Sequence, residues 1–238
     1  MDNAIYASLT RQSGLMREMR AVANNIANVN TSGFRREGVV FSEYMVPLQS
    51  NGETLAMANV RGRMVDLSQG GMTLTNGAYD LAIDGEGFFM VQTPQGNRLT
   101  RAGAFQPNAE GELVNPDGYP LLDDGQAPVV IPPGTRSVGI GEDGTVSADG
   151  QPIGRVGVFA SPDPADLRHV GGTLFDPGRA PEPMDDARIR QGFIEESNVN
   201  PVTEIARMIE VQRAYELGQS FLDQEDQRIR QAITSLTR

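Results

Sequence analysis

Apolar residues over the first thirty positions recur at alternating steps of four and three. They run Ile5, Leu9, a polar break at Gln12, then Met16, Met19, Ala23 and Ile26. This is the a/d spacing of a coiled-coil helix over three heptads. Leu15, Val22 and Val29 form a second apolar line on an adjacent face, so the helix has more than one partner to meet. Gly14 in the middle costs about 1 kcal/mol relative to alanine, and tertiary contacts rather than propensity must hold the helix. The last forty residues repeat the pattern. Asn200-Pro201 offers an N-cap and a first-turn proline. From there Met208, Val211, Tyr215, Gly218, Leu222, Glu225, Ile229, Ala232 and Leu236 step by three and four, Gly218 and Glu225 being the weak members. Ala214, Leu217 and Phe221 add a second line. Helical over 201–236, this segment would be a rod of about 54 Å, too long for burial in one small domain.

Between the helices the pattern changes to glycine, proline and short apolar runs. LAIDGEGFFMVQT holds two such runs split by a glycine-rich turn. GELVNPDGYPLL and GTVSADGQPIG each read as strand, Asp-Gly turn, proline and apolar residue, the pattern of a hairpin. With further runs at PVVIP, VGIG and RVGVFA, the spacing predicts a compact antiparallel sheet or barrel-like domain. The expected class is α+β: two long terminal helices pairing as a coiled-coil-like inner domain, with an all-β domain inserted between them. The expected boundaries are 1–36 for the N-terminal helix, 37–76 for an extended connector and 77–186 for the β domain. A return connector follows over 187–200, and the C-terminal helix occupies 201–238.

VANNIANVNTSGFRRE, residues 22–37, crowds Asn24, Asn25, Asn28 and Asn30 at a helix end. Asparagine competes for backbone groups and suits caps and turns. Read alone, the stretch is a capped, frayed helix end.

Composition removes several functions. The chain has 238 residues, no cysteine and one histidine, which excludes thiolate chemistry and leaves little for imidazole. His169, in SPDPADLRHVGG, is expected in a solvated loop. Net charge is −11, and residues 77–186 hold 6 arginines against 17 acids, so a nucleic-acid partner is not expected. No apolar run is long enough to span a bilayer, and MDNAIYASLTRQ lacks the pattern of a cleaved signal peptide. GEGFFM has Met90 where a dinucleotide fingerprint needs its third glycine, and no helix follows. The Asp-Gly clusters lack the acidic spacing of an EF-hand and are better explained as tight turns. Asp185-Asp186 and Glu195-Glu196 are adjacent carboxylates, which do not face each other, and are expected to face solvent. NTS at 30–32 has the glycosylation pattern and nothing else in its favour. No catalytic, cofactor or metal residues are expected. Two helices with spare apolar stripes, carrying a β domain, describe a filament subunit if their contacts do not close a ring. A soluble coiled-coil adaptor that dimerises through both helices is the rival from another class.

ANNIANVNTSGFRRE, LTNGAYDLAIDGEGFFMV (74–91), LTRAGAFQPNAEGELVNPDGYPLL (99–122) and SNVNPVTEIARMIEVQRAYE (197–216) resemble the four signatures of the bacterial flagellar rod and hook family. They occur in the family's order and cover most of the chain. The opening residues and the modest length are most similar to the proximal-rod members; the distal-rod members are the alternative. The resemblance implies a structural role in the proximal rod, the shaft that transmits torque and surrounds the export channel. The paired helices would line that channel, with the β domain outside. Implied partners are other rod proteins, further copies of the chain and the flagellar type III export apparatus, with no membrane insertion. The implied location is the periplasmic basal body, reached without a cleaved signal. Subunit contacts would fall on Ile5, Leu9, Met16, Met19, Ile26, Phe34, Met208, Val211, Tyr215, Leu222 and Ile229. Asn24, Asn25, Asn28, Asn30, Asn198 and Asn200 would join them through amides able both to donate and to accept. Arg35 and Arg36 would add interface ion pairs.

Overall fold

The computed structural model describes the backbone of residues 2–47 and 54–236, and side chains over 8–40, 64–163 and 165–235. Two compact units result, one formed by residues 1–27, 37–64 and 200–238, the other by 28–36 and 65–199.

The first unit holds both helices, α1 (Asp2–Ala27) and α2 (Pro201–Leu236), and two paired strands, Glu37–Pro47 and Thr54–Val65. The span expected as an extended connector therefore contains a long strand pair. Asn200 starts α2 by accepting from the amides of Val202 (3.0 Å) and Thr203 (3.2 Å), which satisfies two of the donors orphaned at a helix start. The helices run antiparallel. Asn25 meets Glu204, Glu18 meets Arg207 and Gln12 meets Tyr215, so one chain number rises as the other falls. On α2 the face expected from periodicity is the covered one: Val211 is buried and Met208, Tyr215, Leu222 and Ile229 half-buried. On α1 a different face is covered, made of Gly14, Glu18, Ala21, Val22 and Asn25, together with Gln12. The expected α1 seam is left with Leu9 half exposed and with Met16, Met19 and Ile26 half-buried; the side chain of Ile5 lies outside the described residues. Gln12, the residue that breaks that seam, is buried because its amide donates to the Tyr215 carbonyl at 3.1 Å. Neither helix is long and apolar enough to cross a membrane.

The second unit is built on a six-stranded antiparallel sheet in the order Arg168–Gly171, Leu174–Asp176, Gly96–Thr100, Phe88–Thr93, Val158–Ala160, Glu182–Pro183. A three-stranded sheet and several two-stranded pairs surround it. None closes into a barrel, and FFMV accounts for this. Phe89 and Val91 enter one apolar cluster, while Phe88 and Met90 enter another with Phe159 and Phe175. A strand buried on both faces needs a layer on each side, whereas a small closed barrel would wet one of them. The hairpin expected at GTVSADGQPIG is present, with Ala148 opposite Gln151 and both turn residues, Asp149 (φ 48°) and Gly150 (φ 84°), left-handed. This is the twist-matched two-residue turn. The NPDG turn is held by Asn115, whose Oδ1 accepts from Asp117 (3.1 Å) and Tyr119 (2.8 Å). The turn carboxylates also bind backbone: Asp123 accepts from Ala127 at 2.7 Å and Asp143 from Thr145 at 3.0 Å.

The unit extends beyond the expected 77–186 at both ends. Arg188–Gln191 pairs with Leu81–Asp84 and sends Ile189 into the main core, and Phe193–Glu195 pairs with Met72–Leu74. A fragment confined to 77–186 lacks these strands and exposes the residues they cover. It is expected to show no cooperative thermal transition, and a sharp melt of that fragment would refute the wider boundary. His169 is not in a solvated loop. It sits in the edge strand with its ring packed edgewise against Phe34 (5.6 Å between centroids) and Phe175 (5.2 Å).

Candidate assembly interface

The asparagines at the end of α1 divide by what they hold. Asn25 is fully buried; its Oδ1 accepts from the Glu37 N–H and its Nδ2 donates to the Glu37 carbonyl, both at 2.9 Å. That pair of bonds is the one a neighbouring strand would make, so a side chain on a helix stands in as the β-partner of an entering strand. The same Nδ2 lies 3.1 Å from Oε2 of Glu204 on α2. Asn28 receives the Thr31 amide on its carbonyl (3.1 Å) and the Thr31 hydroxyl on its side chain (3.2 Å), closing the turn after the helix. Asn24 is half-buried and Asn30 exposed. Asn198 accepts from the Arg36 amide (2.7 Å) and donates to the carbonyls of Asp66 and Ser68 (both 2.9 Å). Asn25, Asn198 and Asn200 thus have their amides engaged within one chain. Asn25→Ala removes three hydrogen bonds from a buried site and is expected to destabilise the first unit by about 2 kcal/mol or more. Amide exchange at the start of strand Glu37–Pro47 checks it, since unchanged protection there would contradict the bridging geometry.

The rest of the signature enters the second unit. Phe34 and Arg35 are both fully buried. Arg35 Nη1 lies 2.6 Å from Oε1 of Glu195, and Arg101 Nη1 lies 3.3 Å from Oε2 of the same carboxylate. Glu195 is therefore not solvent-facing, unlike the expectation for adjacent carboxylates. In a strand its neighbour Glu196 points the other way, while Glu195 turns inward. Arg101 also donates to the carbonyls of Ile83 (3.3 Å) and Gly85 and lies over the Phe88 ring at 5.5 Å. Desolvation pulls the Arg101 guanidinium down to about 10, against the opposing pull of Glu195. The sequence signal for this cluster was slight: Arg35 and Glu195 each follow an apolar residue but stand next to another charged one, as a solvated pair would.

Part of the exposed surface is apolar and helical. Val202 (75%), Ile205, Ile209, Leu217 (73%), Phe221 and Ile233 on α2 stand in solvent, as does Leu9 on α1. Beside the buried Ala21, Val22 and Val211, the two helices are joined by polar contacts, with Arg207 Nε 2.6 Å from Glu18 and Asn25 on Glu204. Beside the helix contact a groove of about 420 Å³ opens between Leu15, Ala214, Leu217 and Phe221, with Gln12 and Gly218 at its floor. Among the described residues no cluster of acids or histidine is placed to hold a metal ion. The geometry offers apolar surface for other helices.

Three family models match in the order of the chain: flagella basal body rod protein over residues 5–35, the flagellar hook protein FlgE/F/G D1 domain over 82–148, and the C-terminal part of flagellar basal body rod FlgEFG proteins over 190–235. The flagellar basal-body rod protein FlgF of Caulobacter vibrioides is 42% identical across 99% of this chain and 98% of its own length. The chain belongs to the FlgF family of flagellar basal-body rod proteins. The FlgF of Mesorhizobium japonicum is 34% identical over the same shares, and the related rod protein FlgG of Bacillus subtilis 30% over the whole of both chains. The two terminal family matches fall on α1 with its signature and on the return strands with α2, so the matched segments include every polar contact described between the helices.

Proposed function

We propose that this chain builds the proximal part of the flagellar rod, its helix pair forming the inner wall and its β unit the outer. The rod proteins are structural subunits, and the observation that carries the reading here is the apolar surface that the helix pair leaves exposed. Polar contacts join α1 to α2, while six large apolar residues of α2 face outward. Apolar surface of that kind gains about 25 cal/mol per Å² on burial, and a heterologous contact repeated without closing gives a filament. The surfaces offered to neighbours include Leu9, Met16, Met19 and Ile26 on α1 and Met208, Tyr215, Leu222 and Ile229 at the margins of α2. In that assembly the helices pair in coiled-coil fashion with those of adjacent subunits, around a central channel. The chain reaches the periplasmic rod through the flagellar export apparatus, unfolded. Torque then passes along the helices.

The test is a deletion strain whose basal bodies are isolated and imaged. Rods that stop short, and regain full length when the gene is restored, are expected. A complete rod in the deletion would defeat the reading, and a rod missing only its outermost segment would favour the distal position, which the FlgG similarity supports as the second choice.

A further inference from the structure

Three segments remote in the chain converge on one carboxylate. Glu195 takes Arg35 from the entering segment, Arg101 from the residue after strand Gly96–Thr100, and the Gly70 N–H (2.8 Å) from the stretch that re-enters the unit. Its own carbonyl accepts from Gly33 at 2.8 Å. Arg35 and Glu195 are wholly buried and Arg101 nearly so. Arg35 Nε and Nη2 have no hydrogen-bond partner among the described residues, so Glu195 is the one carboxylate seen against this guanidinium. Without Glu195, two buried guanidinium groups would lose the carboxylate they share. A buried lysine can escape such a site by losing its proton, but arginine stays charged. An uncompensated buried charge is among the most destabilising defects a fold can carry.

Chain order supplies the second element. Any process that delivers the chain N-terminus first brings in Arg35, Arg101 and the core residues Phe89, Leu113 and Val146 before Glu195. We propose that Glu195 is a closing latch: the second unit stays open until residues 193–195 arrive, because its interior holds two arginines that this carboxylate neutralises. Early folding is thereby opposed by charge in addition to the absence of Ile189 and of the return strands, which arrive in the same late stretch of chain. Its value in delivery rests on the export reading above, in which the chain must travel unfolded until its return segment is out.

The test uses the full-length chain, Glu195→Gln, and the triple variant Arg35→Met/Arg101→Met/Glu195→Gln. The probes are the amides of Leu113, Leu121 and Val129, which bond one another's strands and touch none of the three charged residues. Glu195→Gln is expected to lower their exchange protection by at least about tenfold, since closure of the whole unit is lost. The triple variant should return to within about threefold of the native chain, because apolar replacement removes the buried charges. Unchanged protection in Glu195→Gln would make the contact a local one and overturn the latch. A triple variant as open as Glu195→Gln would assign the effect to packing and overturn it equally. In cells, the triple variant should be secreted at less than about half the native amount, since its second unit no longer waits for the carboxylate and can begin to close once the strand Arg188–Gln191 has arrived. Equal secretion would overturn the role in delivery. Native secretion that persists without the flagellar export apparatus would instead remove the export reading, leaving the exchange result in place.

Discussion

Gly33→Ala is expected to destabilise the second unit by at least about 3 kcal/mol, the sum of a left-handed backbone penalty and an overpacked contact. Gly33 has φ +72°, and a Cβ there would lie 2.2 Å from the Ala102 nitrogen and 2.3 Å from the Arg101 carbonyl carbon. The obstacle is backbone, which cannot swing aside as a side chain would. Displacing residue 33 also pulls on Phe34 and Arg35, both fully buried two steps away or less. A urea titration read by a probe in the second unit checks the prediction. A midpoint shift worth under about 1 kcal/mol would mean that the entering segment can slide without cost, contrary to the close approach seen here.

Val211→Asp is expected to end incorporation into the rod while leaving the melt of the second unit unchanged. Val211 is 2% exposed and is the most covered apolar residue on α2. An aspartate there introduces an unpaired charge, costing about 3–5 kcal/mol if it stays buried. The helices relieve that cost by separating, which removes the surface on which neighbours would assemble. Quantifying secreted and rod-bound protein in the same cells decides the matter. Wild-type incorporation would show that the α1–α2 contact is dispensable, and a lowered melt of the second unit would show that the helices support it.

How far the sequence could be read depended on which interaction set each position. The α2 face was legible because heptad spacing and burial agree at Met208, Val211, Tyr215, Leu222 and Ile229. The α1 face was not. Hydrophobicity pointed to Leu9, Met16 and Met19, but the covered surface is chosen by Gln12, Glu18 and Asn25, whose polar groups find partners on α2 or on Glu37. A pattern of apolar residues carries no information about which polar residue has a waiting acceptor. The Asp-Gly turns were legible because left-handed φ is a local demand. The reach of the second unit to 199 was hidden for the opposite reason, as the pairing of Phe193–Glu195 with Met72–Leu74 joins strands more than a hundred residues apart. Of the candidate residues, Asn25 and Phe34 were found by signature, but their settings within the chain came only with the fold.

The sequence left two oddities in its helices, a glutamine in one apolar series and a glycine in the other. They are one feature. A Cβ on Gly218 would lie 2.5 Å from Nε2 of Gln12, the amide that donates to the Tyr215 carbonyl. The gap left by the missing side chain is where the glutamine amide ends. Positions 12 and 218 therefore form a single lock and key in the chain's own grammar: a side chain at 218 obliges the glutamine amide to leave its place on Tyr215 or position 12 to shorten. A search for compensating changes, beginning from alanine at 218, should return a shorter side chain at 12 before it touches any other residue.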